Sequence, residues 1–423
     1  MDSRIPGLYK LDPEDRLSEI AEATELSQEA QNKITTQGID AAEAGAISEN
    51  VIGTIEYPLG IATNFVINGQ DKLIPMAIEE TSVVAAASNA ARMARSTGGF
   101  RTQTSGPYMI SQIQATEVDT PRAAKIDILD AKENLIELAN EQDPVLVKHG
   151  GGCEDIEVQL IETPRGKMVI TRLIVNVQDA MGGNAVNTMA EALAPEIEQL
   201  TQGNVSLRIL SNLADRRLAR ASCTIEPSEL ETEDTDLSGE DIRDRIIDAW
   251  AFAVGDPYRA ATHNKGIMNG IDAVATATYN DWRAIEAGAH AYAAVDGYGP
   301  LTTYEGDSDG NLVCSIELPM QVGTIGGATQ LQPVAKAALE ILDVDSANGL
   351  AGVFAAVGLA QNLGGLRALV SEGIQSGHMS LHAKNIAIQA NAPEHLVDEI
   401  AARMVAEEVI RQDRAEELID ELQ

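Results

Sequence analysis

Residues 168–186 of the chain read MVITRLIVNVQDAMGGNAV, and this stretch indicates the architecture of the segments before and after it. Met168–Val177 is strand-like, and a helix is expected to begin near Asn184, so Gly182 and Gly183 stand at a strand-to-helix turn. Such a turn exposes backbone N–H groups at a helix N-terminus, where a pyrophosphate can bind. On its own this pattern is a weak indication, because many ordinary turns share it.

Similar segments surround this stretch and form a mixed unit from about Tyr108 to Ile225. Strands are predicted at Met109–Thr116, Ile156–Ile161 and Val205–Leu210, and helices at Ala124–Asn140 and Asn184–Gln199. Strands and helices mixed in this way favour a compact α+β insert. The two commonest phosphate-binding motifs, G-x-G-x-x-G after a strand and G-x-x-x-x-G-K-[ST], are absent from the sequence.

The remainder of the chain is mostly helical in pattern. A helical region is expected from Asp12 to about Ala44, a hairpin within Ile52–Ile78 at Asn68-Gly69, and a helix over Thr81–Arg95. An acidic segment, Glu226–Glu240, is expected to be an exposed connector. At its end Ser238 is predicted to cap a helix that begins near Glu240. A length of 423 residues predicts two or three structural units.

Composition excludes several classes of function. The formal net charge is -35, which argues against binding nucleic acid or an anionic membrane through a general basic surface. No signal peptide and no membrane-spanning helix are expected. Cys153, Cys223 and Cys314 are too scattered for a disulfide framework, so we expect buried free thiols and a cytoplasmic location.

Polar residues in small-residue surroundings are the candidates for chemistry. Glu79-Glu80 precedes an Ala-rich helix, where acids ordinarily satisfy the helix dipole but where a partly buried Glu can also donate a proton. Lys265 lies among glycines and apolar residues and can present an ammonium group to a carbonyl oxygen. Asp281 alone indicates a turn, but opposite Lys265 it would be a counter-charge.

Two histidines near the C-terminus, His378 and His382, are four residues apart and would share one face of a helix. A metal site is the less favoured interpretation, because no third ligand with suitable spacing is evident. A single general acid at His378 is preferred, since histidine titrates near neutral pH. The motifs G-x-S-x-G and H-E-x-x-H are absent, so the common hydrolase and metalloprotease interpretations have no support.

Taken together and in order, these motifs resemble those of the 3-hydroxy-3-methylglutaryl-CoA reductases, and in particular the soluble bacterial and archaeal class (class II). The resemblance covers most of the chain. It rests on Glu49–Gly53, Glu79–Ser88, Asp179–Asn184, His263–Gly266, Asn280-Asp281, Gly323–Gly327 and Gly377–Met379. Each motif is modest alone, but their joint occurrence in this order is highly specific.

The resemblance implies two successive hydride transfers from a nicotinamide cofactor to the thioester, which give mevalonate and CoA. Lys265 would stabilise the oxygen that becomes negative, Glu80 would supply the proton, and Asp281 would link and orient the two. His378, on a mobile C-terminal flap, would protonate the departing CoA thiolate. The same residues would serve the reverse, degradative oxidation of mevalonate, so the direction stays open.

The resemblance also implies binding residues. Ser82, Arg259, Asn269 and Asn362 match positions that hold the hydroxymethylglutaryl group, with Arg259 as the carboxylate clamp. Lys10 matches a basic position used for CoA, and the cofactor turn comprises Asp179, Met181, Gly182, Gly183 and Asn184. Asp143 matches a position that meets the adenosine ribose, which favours NAD over NADP.

For the fold, the resemblance implies an α+β protein with a helix-rich large domain, an inserted small non-Rossmann cofactor domain and a helical flap. The expected limits are 1–107 with 220–376 for the large substrate and CoA domain, 108–219 for the small domain and 377–423 for the flap. A homodimer or higher even oligomer with interfacial active sites is implied. The alternatives are a catalytically silent homologue acting as a binding module and another CoA enzyme such as a lyase or hydratase.

Overall fold

The computed structural model of the chain describes residues 1–36, 39–233, 235–326, 331–371, 383–407 and 409–422. The predicted residues Gly377, His378, Met379 and His382 lie outside these ranges. The helices are α1 Pro13–Thr24, α2 Gln28–Thr35, α3 Ala41–Ala44, α4 Val83–Ala94, α5 Pro121–Asp130, α6 Lys132–Asn140, α7 Pro144–Lys148, α8 Gly183–Thr201, α9 Pro227–Leu230, α10 Gly239–Gly255, α11 Pro257–Ala277, α12 Trp282–Ala293, α13 Pro333–Leu342, α14 Ala347–Ser371, α15 383–389, α16 Val397–Ala406 and α17 Gln412–Leu422. The strands are β1 Leu59–Ile67, β2 Gln70–Ala77, β3 Arg101–Thr104, β4 Tyr108–Thr116, β5 Gly152–Thr163, β6 Gly166–Asn176, β7 Asn204–Leu210, β8 Leu218–Ile225, β9 Thr302–Gly306 and β10 Leu312–Pro319.

Helix α14 is the centre of the main hydrophobic core. It packs against α4, α10 and α11 and against the antiparallel sheet β3-β8-β10-β9. From Ala347 to Leu366 it carries no charged residue, and the helix is long and apolar enough by composition to cross a membrane. An uncharged stretch of this length was not expected from the sequence, although the buried core helix of a folded protein meets the same criterion. In the folded protein this helix is buried on almost all sides, because it fills the space between the sheet and the other helices.

The hairpin β1–β2 is confirmed, and its turn is at Asn68-Gly69 as predicted. Both residues have positive φ, 51° and 80°, which is the conformation that a two-residue turn needs to match the strand twist. The strands begin later than predicted, since residues 51–58 belong to no strand. Within that segment Ile52, Ile55 and Tyr57 are exposed apolar side chains.

The predicted α+β insert is built on a second sheet, with the antiparallel order β5-β6-β4-β7 and with α5, α6 and α8 packed against it. Its hydrophobic core is separate from the main core and runs from Met109 to Ala214, inside the predicted range 108–219. All four predicted strands are confirmed. The helix predicted over Ala124–Asn140 is broken at Ala131, where α5 ends and α6 begins.

The C-terminal helices form a third, small core of their own. Ala383 and Ala387 on α15 pack with Ile400 and Met404 on α16 and Leu418 on α17. This cluster shares no buried residue with the main core among the described residues. The helical pattern predicted for this end of the chain is therefore confirmed for the part that the structure describes.

The acidic connector is more firmly attached than the sequence suggested. Its short helix α9 buries Leu230 completely, and Arg367 on α14 donates hydrogen bonds to the carbonyl oxygens of Leu230 and Glu231. The predicted exposed connector is therefore exposed over only part of its length, because one apolar side chain and two carbonyl groups anchor it to the core. Ser238 does cap α10, with a reciprocal hydrogen bond from Asp241.

A partly buried chain of polar side chains joins α11 to α12. Asp272 lies against Glu286, whose carboxylate contacts His290 Nε2 at 2.9 Å, and His290 Nδ1 is 2.8 Å from the hydroxyl of Tyr298. Burial, and then the neighbouring Glu286, raises the pKa of Asp272 to about 8. Asp272 is therefore mostly protonated in the folded protein at neutral pH, and its Oδ1 has no hydrogen-bond partner in the structure.

We predict that Asp272→Asn stabilises the protein at alkaline pH but not at acidic pH. The folded state keeps a proton on Asp272 that the unfolded state releases, so wild-type stability falls as pH rises from about 4 towards 8. The neutral amide removes this loss, on the order of a few kcal/mol or roughly 5–10 °C in Tm. Thermal unfolding of both proteins across this pH range checks it, and a Tm difference that is independent of pH would contradict it.

Candidate active site

One cavity of about 280 Å³ collects most of the predicted substrate and catalytic residues. It lies between the segment before α4, the first half of α11 and the second half of α14. The predicted residues that line it are Glu80, Ser82, Arg259, Lys265, Asn269 and Asn362. These residues come from widely separated parts of the sequence, and the packing of α11 against α14 and α4 brings them together.

Lys265 and Glu80 form an ion pair at the mouth of the cavity. Lys265 Nζ lies 2.9 Å from Glu80 Oε2, and Asn269 Nδ2 lies 3.5 Å from the same oxygen. The two charged side chains are 61% and 42% exposed, so a ligand that enters the cavity can reach both. One turn of α11 thus aims an ammonium group and an amide at a single carboxylate.

The residues before α4 have an unusual backbone. The helix begins at Val83, so Glu80 lies ahead of its first turn rather than within it, and the predicted start at Thr81 was two residues early. Ser82 adopts φ 70°, a left-handed conformation that is costly for a residue with a side chain. Strain of this kind is concentrated at functional sites, where the surrounding packing holds it in place.

Arg259 is a half-buried cation without a counter-charge. It lies in the first turn of α11, where Asp256 caps the helix by accepting a hydrogen bond from the backbone N–H of Arg259. No acidic side chain of the described residues forms an ion pair with its guanidinium group, and burial lowers its pKa. A guanidinium held in this way in a cavity is suited to bind a carboxylate of a ligand.

Asn362 is already engaged within the protein. Its Oδ1 accepts hydrogen bonds from the hydroxyls of Thr302 and Tyr304, and its Nδ2 donates to the carbonyl oxygen of His263. The amide therefore ties α14 to α11 and to β9 at the wall of the cavity. Its role in holding a ligand stays a prediction, with one N–H left to donate.

Asp281 is not part of this cluster within one chain. It caps α12 by accepting from the backbone N–H groups of Arg283 and Ala284, and its carboxylate lies 3.2 Å from the guanidinium of Arg283. Between Lys265 and Ala277 the helix α11 rises by about 18 Å, and Asp281 lies beyond that end. The structure thus brings together Glu80 and Lys265 but leaves Asp281 at the far end of α11.

The predicted cofactor turn is held rigidly beside the main core. Buried Arg217 donates to the carbonyl oxygens of Ala180 and Met181, and also to that of Val322. Asp179 Oδ1 accepts from the backbone N–H of Ala347, at the start of α14. The carboxylate of Asp179 therefore anchors the turn to the start of α14.

Glycine is required in this turn because a side chain would clash with neighbouring atoms and because the backbone conformation disfavours other residues. Gly182 has φ 91°, and a Cβ there would lie 2.4 Å from Val177 Cγ1. Gly183 begins α8, and no side chain caps this helix, so its first N–H groups are open to a ligand, with Asn184 exposed beside them. Gly323 packs against the same turn, because a Cβ there would meet the backbone nitrogen of Met181 at 2.7 Å.

Two predicted binding residues lie outside the cavity. Asp143 caps the short helix α7, where its Oδ1 accepts from the backbone N–H of Leu146. Lys10 is exposed near the N-terminus, with its ammonium 5.6 Å from the ring centre of Tyr9. Neither residue contacts Lys265 or Glu80, and their binding roles stay predictions. The predicted acid His378 lies outside the described residues.

His263 and Gln361 are polar cavity residues that the sequence-based prediction did not assign to the site. His263 is buried beside Arg259, and burial lowers its pKa to about 3. Gln361 lies next to Asn362 on α14 and also lines the cavity. The signal that was present is that Gln361-Asn362 is a polar pair within the apolar stretch Gly349–Leu366 of α14, a pattern that often marks a buried polar site.

Comparisons with known proteins place this geometry in a family. The family model described as hydroxymethylglutaryl-coenzyme A reductase matches residues 12–383. The 3-hydroxy-3-methylglutaryl-coenzyme A reductase of Archaeoglobus fulgidus is 57% identical over all of this chain and 95% of its own length. A structure of the Streptococcus pneumoniae reductase is 40% identical, covers 99% of both chains and has a TM-score of 0.84. A class II structure from the same organism, bound to NADPH in open conformations, is 42% identical over 86% of this chain and 99% of its own, with a TM-score of 0.83.

Proposed function

This chain belongs to the hydroxymethylglutaryl-coenzyme A reductase family, and from that premise we propose that its cavity reduces the thioester of hydroxymethylglutaryl-CoA to mevalonate. The observation that carries the proposal is the Lys265–Glu80 pair at 2.9 Å, with the unpaired guanidinium of Arg259 in the same cavity. The Lys265–Glu80 pair suits the thioester carbonyl of the substrate, whose oxygen gains negative charge. The guanidinium of Arg259 suits the carboxylate at the other end of the hydroxymethylglutaryl group. A catalytically silent homologue is disfavoured, because Glu80 and Lys265 are both present and in contact.

The chemistry divides among these side chains as follows. A reduced nicotinamide supplies a hydride to the thioester carbon, and later a second hydride to the aldehyde carbon. Lys265 stabilises the oxygen that becomes an alkoxide in each transfer, and this stabilisation is stronger in the transition state than for the neutral carbonyl. Glu80, in contact with Lys265, delivers a proton to that oxygen. The CoA thiolate that leaves between the two reductions also needs a proton, and His378 is our proposed donor.

A direct assay tests this function. Purified protein, hydroxymethylglutaryl-CoA and either NADPH or NADH are mixed, and cofactor oxidation is followed by its absorbance together with release of free CoA thiol. We expect two equivalents of reduced cofactor to be consumed per CoA released. The absence of oxidation with either cofactor would contradict the proposal. Incubating mevalonate, CoA and the oxidised cofactor then measures the reverse direction, which the same residues catalyse.

For the cofactor, we propose that the pyrophosphate binds at the turn before α8. Gly182 and Gly183 leave room for it, and the uncapped N–H groups at the start of α8 are donors for its oxygens. The sequence favoured NAD on the strength of Asp143, but a relative of this chain binds NADPH, and that preference for NAD has no support from the comparisons. We therefore propose NADPH as the reductant, with Asp143 lowering its affinity.

Asp143→Asn is expected to raise kcat/KM for NADPH by about tenfold and to leave that for NADH within about twofold, because the change removes one charge that repels a 2′-phosphate. Asparagine caps a helix as well as aspartate does, so α7 should be retained. Asp40→Asn, at the capping box of α3, is a matched control. An unchanged ratio between the two cofactors would remove Asp143 from the cofactor site.

We propose that two copies of the chain complete each active site. Asp281 cannot reach Lys265 in its own chain, since about 18 Å of α11 separates Lys265 from Ala277. A second copy related by twofold symmetry can bring its own Asp281 to the Lys265–Glu80 pair, and the reverse contact then forms equally. The exposed apolar residues Ile52 and Ile55 on the unpaired segment before β1 offer a surface for such an interface.

We also propose a cytoplasmic location and CoA as a released product. Cys153, Cys223 and Cys314 are free and buried, as predicted, which suits a reducing compartment. Lys10 is our proposed contact for the CoA phosphates. Its exposed ammonium near the N-terminus is free to meet an anionic group on a ligand that extends out of the cavity.

A further inference from the structure

Residues 320–325, which we call the bridging segment, lie between the proposed cofactor turn and the start of α12. The segment directly follows β10, and Arg217 directly precedes β8, the strand that pairs with β10. Because the two strands are antiparallel, Arg217 and the bridging segment lie at the same end of the sheet. The backbone N–H of Met320 donates to the carbonyl oxygen of Arg217 at 2.9 Å, so the pairing continues past the strands.

The side chain of Arg217 bonds the bridging segment to the cofactor turn. It is buried, and its Nη2 donates to the carbonyl oxygen of Val322 at 2.6 Å. Its Nη1 donates to the carbonyl oxygens of Ala180 and Met181 at 3.1 and 3.3 Å. No acidic side chain of the described residues forms an ion pair with it, so carbonyl groups stabilise the buried charge. A guanidinium presents its N–H groups in a fixed fork, and one side chain therefore sets the distance between the two segments.

The bridging segment is also bonded to the start of α12. The backbone N–H of Gly323 donates to Asn280 Oδ1 at 2.8 Å. Gln321 Nε2 donates to the carbonyl oxygen of Ala284, in the first turn of the helix, at 2.6 Å. Asn280 directly precedes Asp281, which caps α12. Hydrogen bonds therefore connect the cofactor turn to the residue before Asp281 through a single short segment.

The proposed reaction requires that the cofactor turn and Asp281 keep a fixed relative position. The hydride leaves a cofactor bound at the turn, and the carbonyl that accepts it is polarised by the charged cluster that Asp281 orients. A misplacement of about 1 Å can cost about 10²-fold in rate. We propose that Arg217 and Asn280 are positioning residues that couple the cofactor turn to Asp281 through the bridging segment. The inference rests on the proposed function.

Effects that cross from one side of the segment to the other test this coupling. Asn280→Ala removes a contact on the Asp281 side, and Arg217→Lys removes the fork on the cofactor side while keeping a charge. Asn280→Ala should raise the Kd for NADPH by at least about fivefold, measured by nicotinamide fluorescence without substrate. Arg217→Lys should lower kcat at saturating NADPH and hydroxymethylglutaryl-CoA by a similar factor. An unchanged Kd for Asn280→Ala would overturn the proposal.

A double variant separates coupling from independent damage. If both contacts act through one segment, releasing it on one side leaves the second change little to break. The Kd of Arg217→Lys/Asn280→Ala should then stay within about twofold of that of the weaker-binding single variant. Two single effects that multiply would show that the contacts act separately, and the proposal would be wrong. If Arg217→Lys does not give a folded protein, the Kd of Asn280→Ala decides alone.

Ser27→Ala is the matched control. Like Asn280, Ser27 accepts a hydrogen bond from a backbone N–H, that of Ala30, and donates one to a side chain, that of Glu340. It caps α2 and contacts neither the bridging segment nor the cofactor turn. The substitution should lower Tm and leave kcat and the Kd for NADPH unchanged. If it raised the Kd as much as Asn280→Ala does, the effect would report general loss of stability, which contradicts the coupling.

The two proposals fail in distinguishable ways. If wild type neither binds NADPH nor oxidises it with hydroxymethylglutaryl-CoA, the proposed function is wrong and the coupling falls with it. If wild type binds and oxidises NADPH but Asn280→Ala binds it equally well, the function stands and the coupling is wrong.

Discussion

Lys265→Ala is expected to reduce kcat by about 10³-fold or more while the protein stays folded. Loss of one donor at a developing oxyanion costs about 10²–10³-fold in known enzymes, and here the lost donor also carries a full charge. The pair with Glu80 is largely exposed, so its removal leaves a carboxylate that water can solvate, and stability should change little. Steady-state rates and thermal unfolding of the variant measure both effects.

Two controls make the Lys265 result specific. Lys265→Arg retains a positive charge but carries it on a larger, planar group that cannot occupy the same position, so it should recover only a small part of the activity. Lys167→Ala, at the exposed start of β6, should behave as wild type. If Lys265→Ala kept more than about a tenth of the wild-type rate, charge stabilisation by this residue would not account for catalysis.

Mixing two inactive variants is expected to restore activity. Lys265→Ala and Asp281→Asn should each be nearly inactive alone. In a mixed dimer, the Asp281→Asn copy contributes Lys265 and the Lys265→Ala copy contributes Asp281, so one of the two sites is complete. Random pairing makes half of the dimers mixed, and about a quarter of the wild-type activity should return. Refolding or co-expressing the two variants and assaying the mixture measures this.

The choice of asparagine matters for that test. Asp281 caps α12, and asparagine preserves the cap while removing the charge, so a loss of activity reports on the charge. The control mixes Lys265→Ala with the double variant Lys265→Ala/Asp281→Asn, which restores no complete site. Recovery in the test mixture but not in the control supports a shared site. No recovery in a mixture shown to contain mixed dimers would place Asp281 in the same site as its own Lys265.

Much of the site could be predicted from the sequence because its residues lie in distinct local motifs. Lys265 stands between glycines, Glu80 precedes an Ala-rich helix, and Gly182-Gly183 follows a strand, so each was visible without the fold. What the sequence could not show is distance. The length of α11 sets Lys265 and Asp281 apart, although they are only 16 positions apart in the sequence.

The cases that failed share a physical cause. Whether Asn362 is free to bind a ligand depends on two hydroxyl groups, from Thr302 and Tyr304, that arrive from a distant strand. The burial of Leu230 in the connector likewise depends on the position of Arg367. Local pattern cannot reveal such contacts, because the partners are more than 50 positions away in the chain.

Helix α14 has a consequence for how this protein can change over evolutionary time. It is buried on nearly every side, and its residues pack against the sheet β3-β8-β10-β9, against α4 and α11, and around the cavity. A helix with one solvent-exposed face can accumulate neutral substitutions on that face, but α14 has almost no solvent-exposed surface. Adaptation to a new substrate is therefore expected to come from α11 and from the loop before α4, while α14 remains the slowest-changing element of the chain.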